Sequence, residues 1–288
     1  MTLEELNKIN AAALDRLARG GERPDMLQVP FYGFYEVDLF ESPPFVMFTA
    51  ADCPRAADIL YHRHFEPTSM RLWCRLVPLA TGIFDVGAHV GVYSLAAAAI
   101  RQDIRIQAFE PNPYAFSRLR LHKLINRFDT IVENRVALAH KSGHAVFSWW
   151  EKEGSLISSG GTIARKDASR FQKIVVDMAP LDTLPAATTI GPRGLIKIDV
   201  EGAEGTVFEG MTGVLAHRPD IILESFSASI CAEINARVLP LGYRVYLIRE
   251  REGDLVPQLE LQARAADGDN FNQFLSVRDP RELEAIMA

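Results

Sequence analysis

The sequence predicts a doubly wound α/β domain behind an N-terminal extension, and three observations carry that prediction. Short runs that are almost wholly apolar, at 83–86, 104–109, 195–200 and 221–223, alternate with helical stretches at 93–101, 113–126 and 203–216. Strands without a polar face must be covered on both sides, as in a parallel sheet between helices. Two of the runs turn through glycine directly into a helix, the usual strand-to-helix junction of such sheets.

Composition sets the outer bounds. Basic side chains number 31 and acidic ones 37, a formal net charge of −6, so a nucleic-acid partner is not expected. A hydrophobic fraction of 48% against 24% charged residues is that of a globular chain and excludes disorder and fibres. Cys53, Cys74 and Cys231 lie far apart, which gives neither a disulfide framework nor a four-thiolate zinc site and suits a reducing compartment. The most apolar run, 92–100, is far shorter than the roughly 20 residues of a bilayer span, and the start lacks the character of a secretory signal. A cytoplasmic protein with no membrane span is expected.

At the N-terminus Leu3, Leu6, Ala13, Leu14 and Leu17 recur at helical spacing, with Thr2 and Glu5 placed for a capping box and Gly20 and Gly21 as a stop. Residues 27–49 mix aromatic and β-branched residues with Pro30, Gly33, Pro43 and Pro44, reading as short strands, and helical segments follow near 55–77. Residues 1–80 are therefore taken as the extension and 81–288 as the main domain. Within the latter, 145–150 and 173–178 alternate like the strands of a hairpin insertion around the Gly- and Ser-rich stretch 154–161. The runs 243–248, 255–261 and 271–277 read as antiparallel strands closing the sheet edge.

The first glycine turn is Phe84-Asp85-Val86-Gly87-Ala88-His89-Val90-Gly91. Gly87 and Gly91 allow close backbone approach, and the helix that follows offers unpaired N–H groups to a carboxylate. Asp85, at the strand end, is placed to meet a cationic group of the same ligand. Glu110 ends the next apolar run at a spacing that sets an acid on the two hydroxyls of a ribose. Acid and glycines together fit S-adenosylmethionine better than a dinucleotide, whose fingerprint G-x-G-x-x-G is absent. His89 is a further candidate at the helix start, for cofactor or substrate, with capping of the first turn as the plainer role.

The second turn is Lys197-Ile198-Asp199-Val200-Glu201-Gly202-Ala203-Glu204. In an extended chain Lys197, Asp199 and Glu201 share one face. A lysine inside a central strand needs a partner, and Asp199 is the candidate. Asp199 and Glu201 fall beyond a strand's carboxyl end, where open α/β sheets hold their ligands.

FDVGAHVGVYS (84–94), AFEPNP (108–113), NRVAL (134–138), PLDTL (180–184) and LIKIDVEGAE (195–204), in this order, resemble the FkbM family of S-adenosylmethionine-dependent methyltransferases. The resemblance implies a class I methyltransferase fold, Rossmann-like, with a mostly parallel seven-stranded sheet and antiparallel edge strands. It also implies O-methylation of a hydroxyl on a sugar, glycan or secondary metabolite. Carried over, Asp85, Gly87, Ala88 and Gly91 hold the methionine portion, Glu110 and Asn112 the ribose side, and Ala137 and Leu138, ending the third strand, border the adenine.

Methyl transfer needs an aligned acceptor and one group to take the hydroxyl proton. Asp199 is the first candidate, Glu201 the second and His89 the third. Asp199, Glu201 and Glu204 are oxygen ligands of the kind magnesium accepts but form no recognised loop, so no required metal is expected. The flanking pair His62 and His64 is assigned a surface or capping role, and only one of Trp149 and Trp150 can face the core. A nicotinamide-dependent oxidoreductase and a non-catalytic cofactor-binding module are the alternatives. G-x-x-x-x-G-K-[ST] and G-x-S-x-G do not occur, which disfavours a P-loop phosphotransferase and a serine hydrolase.

Overall fold

The computed structural model describes residues 2–19, 30–38, 40–63, 65–150, 157–158, 160–165, 171–224, 227–263 and 272–288. Helix α1 (Leu3–Arg19) starts at the capping box foreseen for it. Thr2 N–H donates to Glu5 Oε2 at 2.6 Å and Glu5 N–H to Thr2 Oγ1 at 3.2 Å. The glycines expected to stop it lie outside the described residues. Strands β1 (Tyr32–Val37) and β2 (Phe45–Ala50) pair antiparallel. Helix α2 (Pro54–Ala57) runs into a π-helical turn at Asp58–His62, and α3 (Pro67–Leu76) opens with a proline in its first turn. The side chain of His62 and all of His64 lie outside the described residues.

From there strand and helix alternate as the apolar runs foretell: β3 (Ile83–Val86), α4 (Val92–Ile100), β4 (Ile106–Phe109), α5 (Pro113–Asn126) and β5 (Ile131–Asn134). Helix α5 begins where Asn112 Oδ1 accepts from Tyr114 N–H and Pro113 fixes the first turn. Next come β6 (Ala137–Leu138), β7 (Gly143–Trp149) and β8 (Gln172–Ala179), then β9 (Leu195–Ile198). The helical stretch after β9 is broken at Gly210 into α6 (Glu204–Glu209) and α7 (Thr212–Ala216). Strand β10 (Asp220–Glu224), α8 (Ala228–Val238), β11 (Arg244–Arg249), β12 (Asp254–Gln258), β13 (Asn272–Ser276) and α9 (Pro280–Met287) complete the chain.

The main sheet has eight strands, in the order β12-β11-β13-β10-β9-β3-β4-β5, not the seven expected. The extra strand arises because all three C-terminal runs join the sheet, β12 pairing with β11 at its edge. Strands β10, β9, β3, β4 and β5 are parallel, and β13 runs antiparallel to both β10 and β11. A second correction concerns Ala137 and Leu138. They do not end the third strand, which is β5; they leave it and pair with Met178 and Ala179 in a separate sheet of order β6-β8-β7. That sheet contains the predicted hairpin, with Trp149 buried and Trp150 48% exposed, so one ring faces in and the other out.

Both faces of the main sheet are apolar because successive side chains point to opposite sides. Ile83, Ile106, Leu195 and Ile222 share a core with Met47, Trp73 and Leu95, whereas Phe84, Phe109, Ile196 and Ile221 pack with Val207, Val214 and Ile234 on the other side. The extension thus covers the first face. Counting on by two from Ile83, Leu195 and Ile222 gives Asp85, Lys197 and Glu224 on that same face, with Asp85 in register with Lys197 and Glu224 with Asn272. A polar row at the carboxyl ends of the strands therefore lies on the side that the extension covers.

Candidate active site

A cavity of about 410 Å³ opens at this end of the sheet, a size suited to a small-molecule ligand. Its walls come from three sources: the tips of β3, β4, β9 and β10, the β6-β8-β7 insertion, and Arg55, Phe65 and Glu66 of the extension.

The glycine loop forms one side. Gly87 has φ +82°, and a Cβ there would lie 1.8 Å from the Asp199 carbonyl oxygen, so two strand tips meet where only glycine fits. The N–H groups of Gly87 and Ala88 both donate to Phe109 O at 3.0 Å. His89, at φ +51°, donates its N–H to Glu110 Oε2 at 2.8 Å. Gly91 is placed differently from expectation: it lies outside the cavity wall, and its missing side chain makes room for Leu119 of α5, whose Cδ1 would lie 2.3 Å from a Cβ. The role found for Gly91 is helix packing.

Asp85, 2% exposed, accepts from Ser94 N–H at 3.0 Å and Ser94 Oγ–H at 2.6 Å, so it occupies the start of α4 itself. Burial pushes its pKa up to about 6, against the lowering effect of Ser94 and Lys197. Glu110 braces the loop from β4. Its Oε1 accepts from Asn112 N–H at 2.7 Å while Oε2 takes the His89 N–H, and burial raises it to about 7. Each of these oxygens retains a lone pair.

Two polar atoms at the cavity are buried with no hydrogen-bond partner among the described residues, Asn112 Nδ2 and His89 Nε2. Buried donors and acceptors are ordinarily satisfied, so both are open to the polar groups of a ligand. Burial, and then Arg55, push the His89 imidazole down to about 4, leaving it neutral near pH 7. His89 does not cap helix α4, whose N-cap is Gly91. Ala88, Ala137 and Leu138 line the cavity as apolar wall.

Opposite the glycine loop stand the second acids. Asp199 N–H donates to Val86 O at 2.9 Å, tying the β9 tip to β3. Lys197, 1% exposed, lies 3.5 Å from Asp199 Oδ2, the partner expected for it, and 3.9 Å from Glu66 Oε2. Burial disfavours its charge, but Asp199, Glu66, Glu224 and Asp85 outweigh that and raise its pKa. Burial likewise works to raise Asp199, yet Lys197 and a hydrogen bond with Glu224 hold it below the usual carboxylate range. Glu224 is raised by burial and then by Asp199.

The extended chain ends at Ile198, and Glu201 turns through φ +54°, but the two acids stay together. Asp199, Glu201 and Glu224 each bring a carboxylate oxygen within 4.8 Å of the others, close enough to share a proton or a cation. Glu204 is not part of this group. Its Oε1 accepts from Gly202 N–H at 3.1 Å at the start of α6.

Sequence reasoning missed Glu224, Glu66, Arg55 and Phe65. Glu224 had a signal, since it ends an apolar strand just as Glu110 does. The other three had none, because their approach to the cavity depends on how the extension packs.

Residues 85–245, more than half of the chain, match the methyltransferase FkbM domain. A hexuronic acid methyltransferase, AglP, of Haloferax volcanii is 28% identical over 142 residues, 49% of this chain and 54% of that protein. The 31-O-demethyl-FK506 methyltransferase FkbM of Streptomyces tacrolimicus is 26% identical over 154 residues, 45% of this chain and 58% of that protein. The chain thus spans a little over half the length of these relatives. A crystal structure of methyltransferase FkbM from Methylobacillus flagellatus superposes with a TM-score of 0.44 at 13% identity, over 68% of this chain and 43% of that one. No described helix is long and apolar enough to cross a membrane. On the matched domain, which begins at Asp85 and takes in both acidic turns, the chain belongs to the FkbM family of methyltransferases, whose cofactor is S-adenosylmethionine.

Proposed function

We propose that this protein is an S-adenosylmethionine-dependent O-methyltransferase whose acceptor is a hydroxyl of a sugar, glycan or secondary metabolite. One observation carries the reading: acids on adjacent strand tips, Asp85, Glu110 and Asp199, surround a single cavity that also presents the unpartnered Asn112 Nδ2 and His89 Nε2. The two relatives are named for a hexuronic acid and for an O-demethyl compound, which fits this acceptor class. The eight-stranded sheet is read as the class I methyltransferase sheet with one added edge strand. Residues 1–80 form the wall on the acceptor side and 81–288 the catalytic domain.

The cofactor supplies a methyl group on a positively charged sulfur. When bound, it would be held by Asp85 at the amine of the methionine portion, by Glu110 and Asn112 at the ribose, and by Ala137 and Leu138 at the adenine. Gly87 and Ala88 give close backbone approach. Asp199, kept ionised by Lys197, would orient the acceptor hydroxyl and take its proton as the oxygen–carbon bond forms and the sulfur–methyl bond breaks, the sulfur leaving as a neutral thioether. Glu201 stands beside it as second acid, and neutral His89 offers Nε2 to the substrate or cofactor. Much of the catalysis is alignment, because pairing with Lys197 makes Asp199 a weak base.

Calorimetry with S-adenosylmethionine tests this. Asp85→Ala and Glu110→Ala are expected to lower affinity at least about tenfold, the loss of a buried charged contact. Asp199→Asn keeps affinity within about threefold and loses turnover on a panel of hydroxylated acceptors, roughly a hundredfold as for a lost proton acceptor. Unchanged affinity in the first two variants would falsify the cofactor site.

A further inference from the structure

We propose that Glu66, in the N-terminal extension, is a positioning residue that sets the basicity of Asp199 through Asn272 and Lys197; this rests on the methyltransferase reading above. Glu66 is 7% exposed and lines the cavity. Its Oε2 accepts from Tyr93 Oη–H at 2.6 Å and from Asn272 Nδ2–H at 2.8 Å. With Nδ2 so engaged, Asn272 turns its Oδ1 to Lys197, whose Nζ donates at 3.2 Å. The reverse amide orientation would set an NH2 group against an ammonium. One carboxylate therefore fixes an amide, and the amide fixes the lysine.

The consequence lies in where Lys197 stands. It is held between Asn272 Oδ1, Glu66 at 3.9 Å and Asp199 at 3.5 Å, with its Nζ 5.3 Å from the centroid of the Tyr93 ring. A lysine shared in this way keeps Asp199 ionised without closing on it, so Asp199 retains more basicity than in a private ion pair. The groups facing Asp199 are Lys197, Glu224, Arg55, Glu201 and His89, those facing Lys197 are Glu66, Asp85, Tyr93, Asp199 and Glu224, and Glu250 faces Glu66.

Two features set Glu66 apart from a chance contact. Its oxygen is shared between two buried donors, Tyr93 Oη–H and Asn272 Nδ2–H, from separate parts of the chain. Glu66 and Asn272 both fall outside the matched stretch 85–245, one on each side of it, yet Asn272 Nδ2–H donates to Glu66 Oε2. The extension thereby acts on the reacting end as well as covering the sheet.

The test follows the side-chain carboxyl of Asp199 by NMR in the full-length protein labelled with 13C-aspartate, the signal being identified by its loss in Asp199→Asn. Glu66→Gln removes the charge, lets Lys197 close on Asp199, and is expected to move the Asp199 titration to lower pH by about half a unit or more. Calorimetry with S-adenosylmethionine runs beside it and separates any change in cofactor binding, since Glu66 lines the same cavity, from the shift in the Asp199 titration. Asn272→Ser, which removes the amide oxygen, should shift it in the same direction and decides the matter if Glu66→Gln does not fold. An Asp199 titration unmoved in a folded variant overturns the proposal. Failure of the wild-type protein to bind S-adenosylmethionine overturns the methyltransferase reading instead, and the titration comparison does not depend on it.

Discussion

Gly87→Ala and Gly242→Ala form a matched pair that isolates the close approach of the two strand tips. Their backbones are nearly the same, φ +82° and +85°, but an added Cβ meets the Asp199 carbonyl oxygen at 1.8 Å in the first and nothing within 4 Å in the second. Both substitutions carry the left-handed penalty, about 1 kcal/mol. Only Gly87→Ala carries the contact. A carbon and a carbonyl oxygen need about 3.3 Å, so the tips must part by roughly 1.5 Å. The hydrogen bonds that resist are those of Gly87 and Ala88 N–H to Phe109 O and of Asp199 N–H to Val86 O. Losing two of them, at about 1 kcal/mol each, brings the expected destabilisation to about 3 kcal/mol for Gly87→Ala against about 1 for Gly242→Ala. Urea unfolding reads this difference. Displacement of Asp199 by such a distance should also cut turnover by about a hundredfold. If Gly87→Ala unfolds at the same urea concentration as Gly242→Ala and binds S-adenosylmethionine like the wild type, the approach of the tips is not what glycine is there for.

The buried charges give further expectations. Burial raises Glu110 to about 7 from 4.5, so its contribution to stability is present below pH 4.5 and lost as pH rises through 7. Melting of the ligand-free protein between pH 5 and pH 8 should fall less steeply in Glu110→Gln than in the wild type, and an identical slope would contradict this. Lys197→Met leaves Asp199 and Glu66 without their shared cation and should cost about 3 to 5 kcal/mol in urea unfolding. A loss below about 1 kcal/mol would mean the acids are already neutral. Because the Lys197 ammonium already stands among Asp199, Glu66 and Glu224, extensive treatment with a chelator should leave turnover unchanged. Loss of turnover restored by magnesium would refute that.

Features written in consecutive residues were legible in the sequence, and features created by packing were not. The helix start at Thr2 and Glu5, the start of α5 at Pro113 and the four both-face apolar runs are local patterns, and each run holds a strand, although the one read at 104–109 begins at Ile106 and the one read at 195–200 ends at Ile198. Asp85, Glu110, Asp199 and Glu201 were readable for the same reason, each marking a strand tip in its own motif. At Gly91 the missing side chain makes room for Leu119, a packing role that in sequence looks the same as room for a ligand. Ala137 and Leu138 were assigned to the wrong sheet because two residues carry no periodicity and their pairing depends on Met178 and Ala179, forty residues on. Glu66 before Pro67 reads as a helix boundary and nothing more. Only the fold of the extension over the polar row brings it to Lys197.

The acids of the cavity explain one another. Among the described residues its wall carries Glu66, Asp85, Glu110, Asp199, Glu201 and Glu224 against Arg55 and Lys197, with His89 neutral. Negative charge in excess, in a place of low dielectric, is costly unless protons are taken up, and the raised values of Asp85, Glu110 and Glu224 all have burial as their first cause. On the proposed reading, the desolvation that raises these acids also prepares the cavity for a cationic ligand, since a positive centre placed there favours their charged forms. Stability and affinity are coupled through it. Neutralising Asp85 or Glu110 would make the chain more robust to pH and, on the proposed reading, weaken its hold on a cation, the trade expected where a site is kept under electrostatic strain for its function.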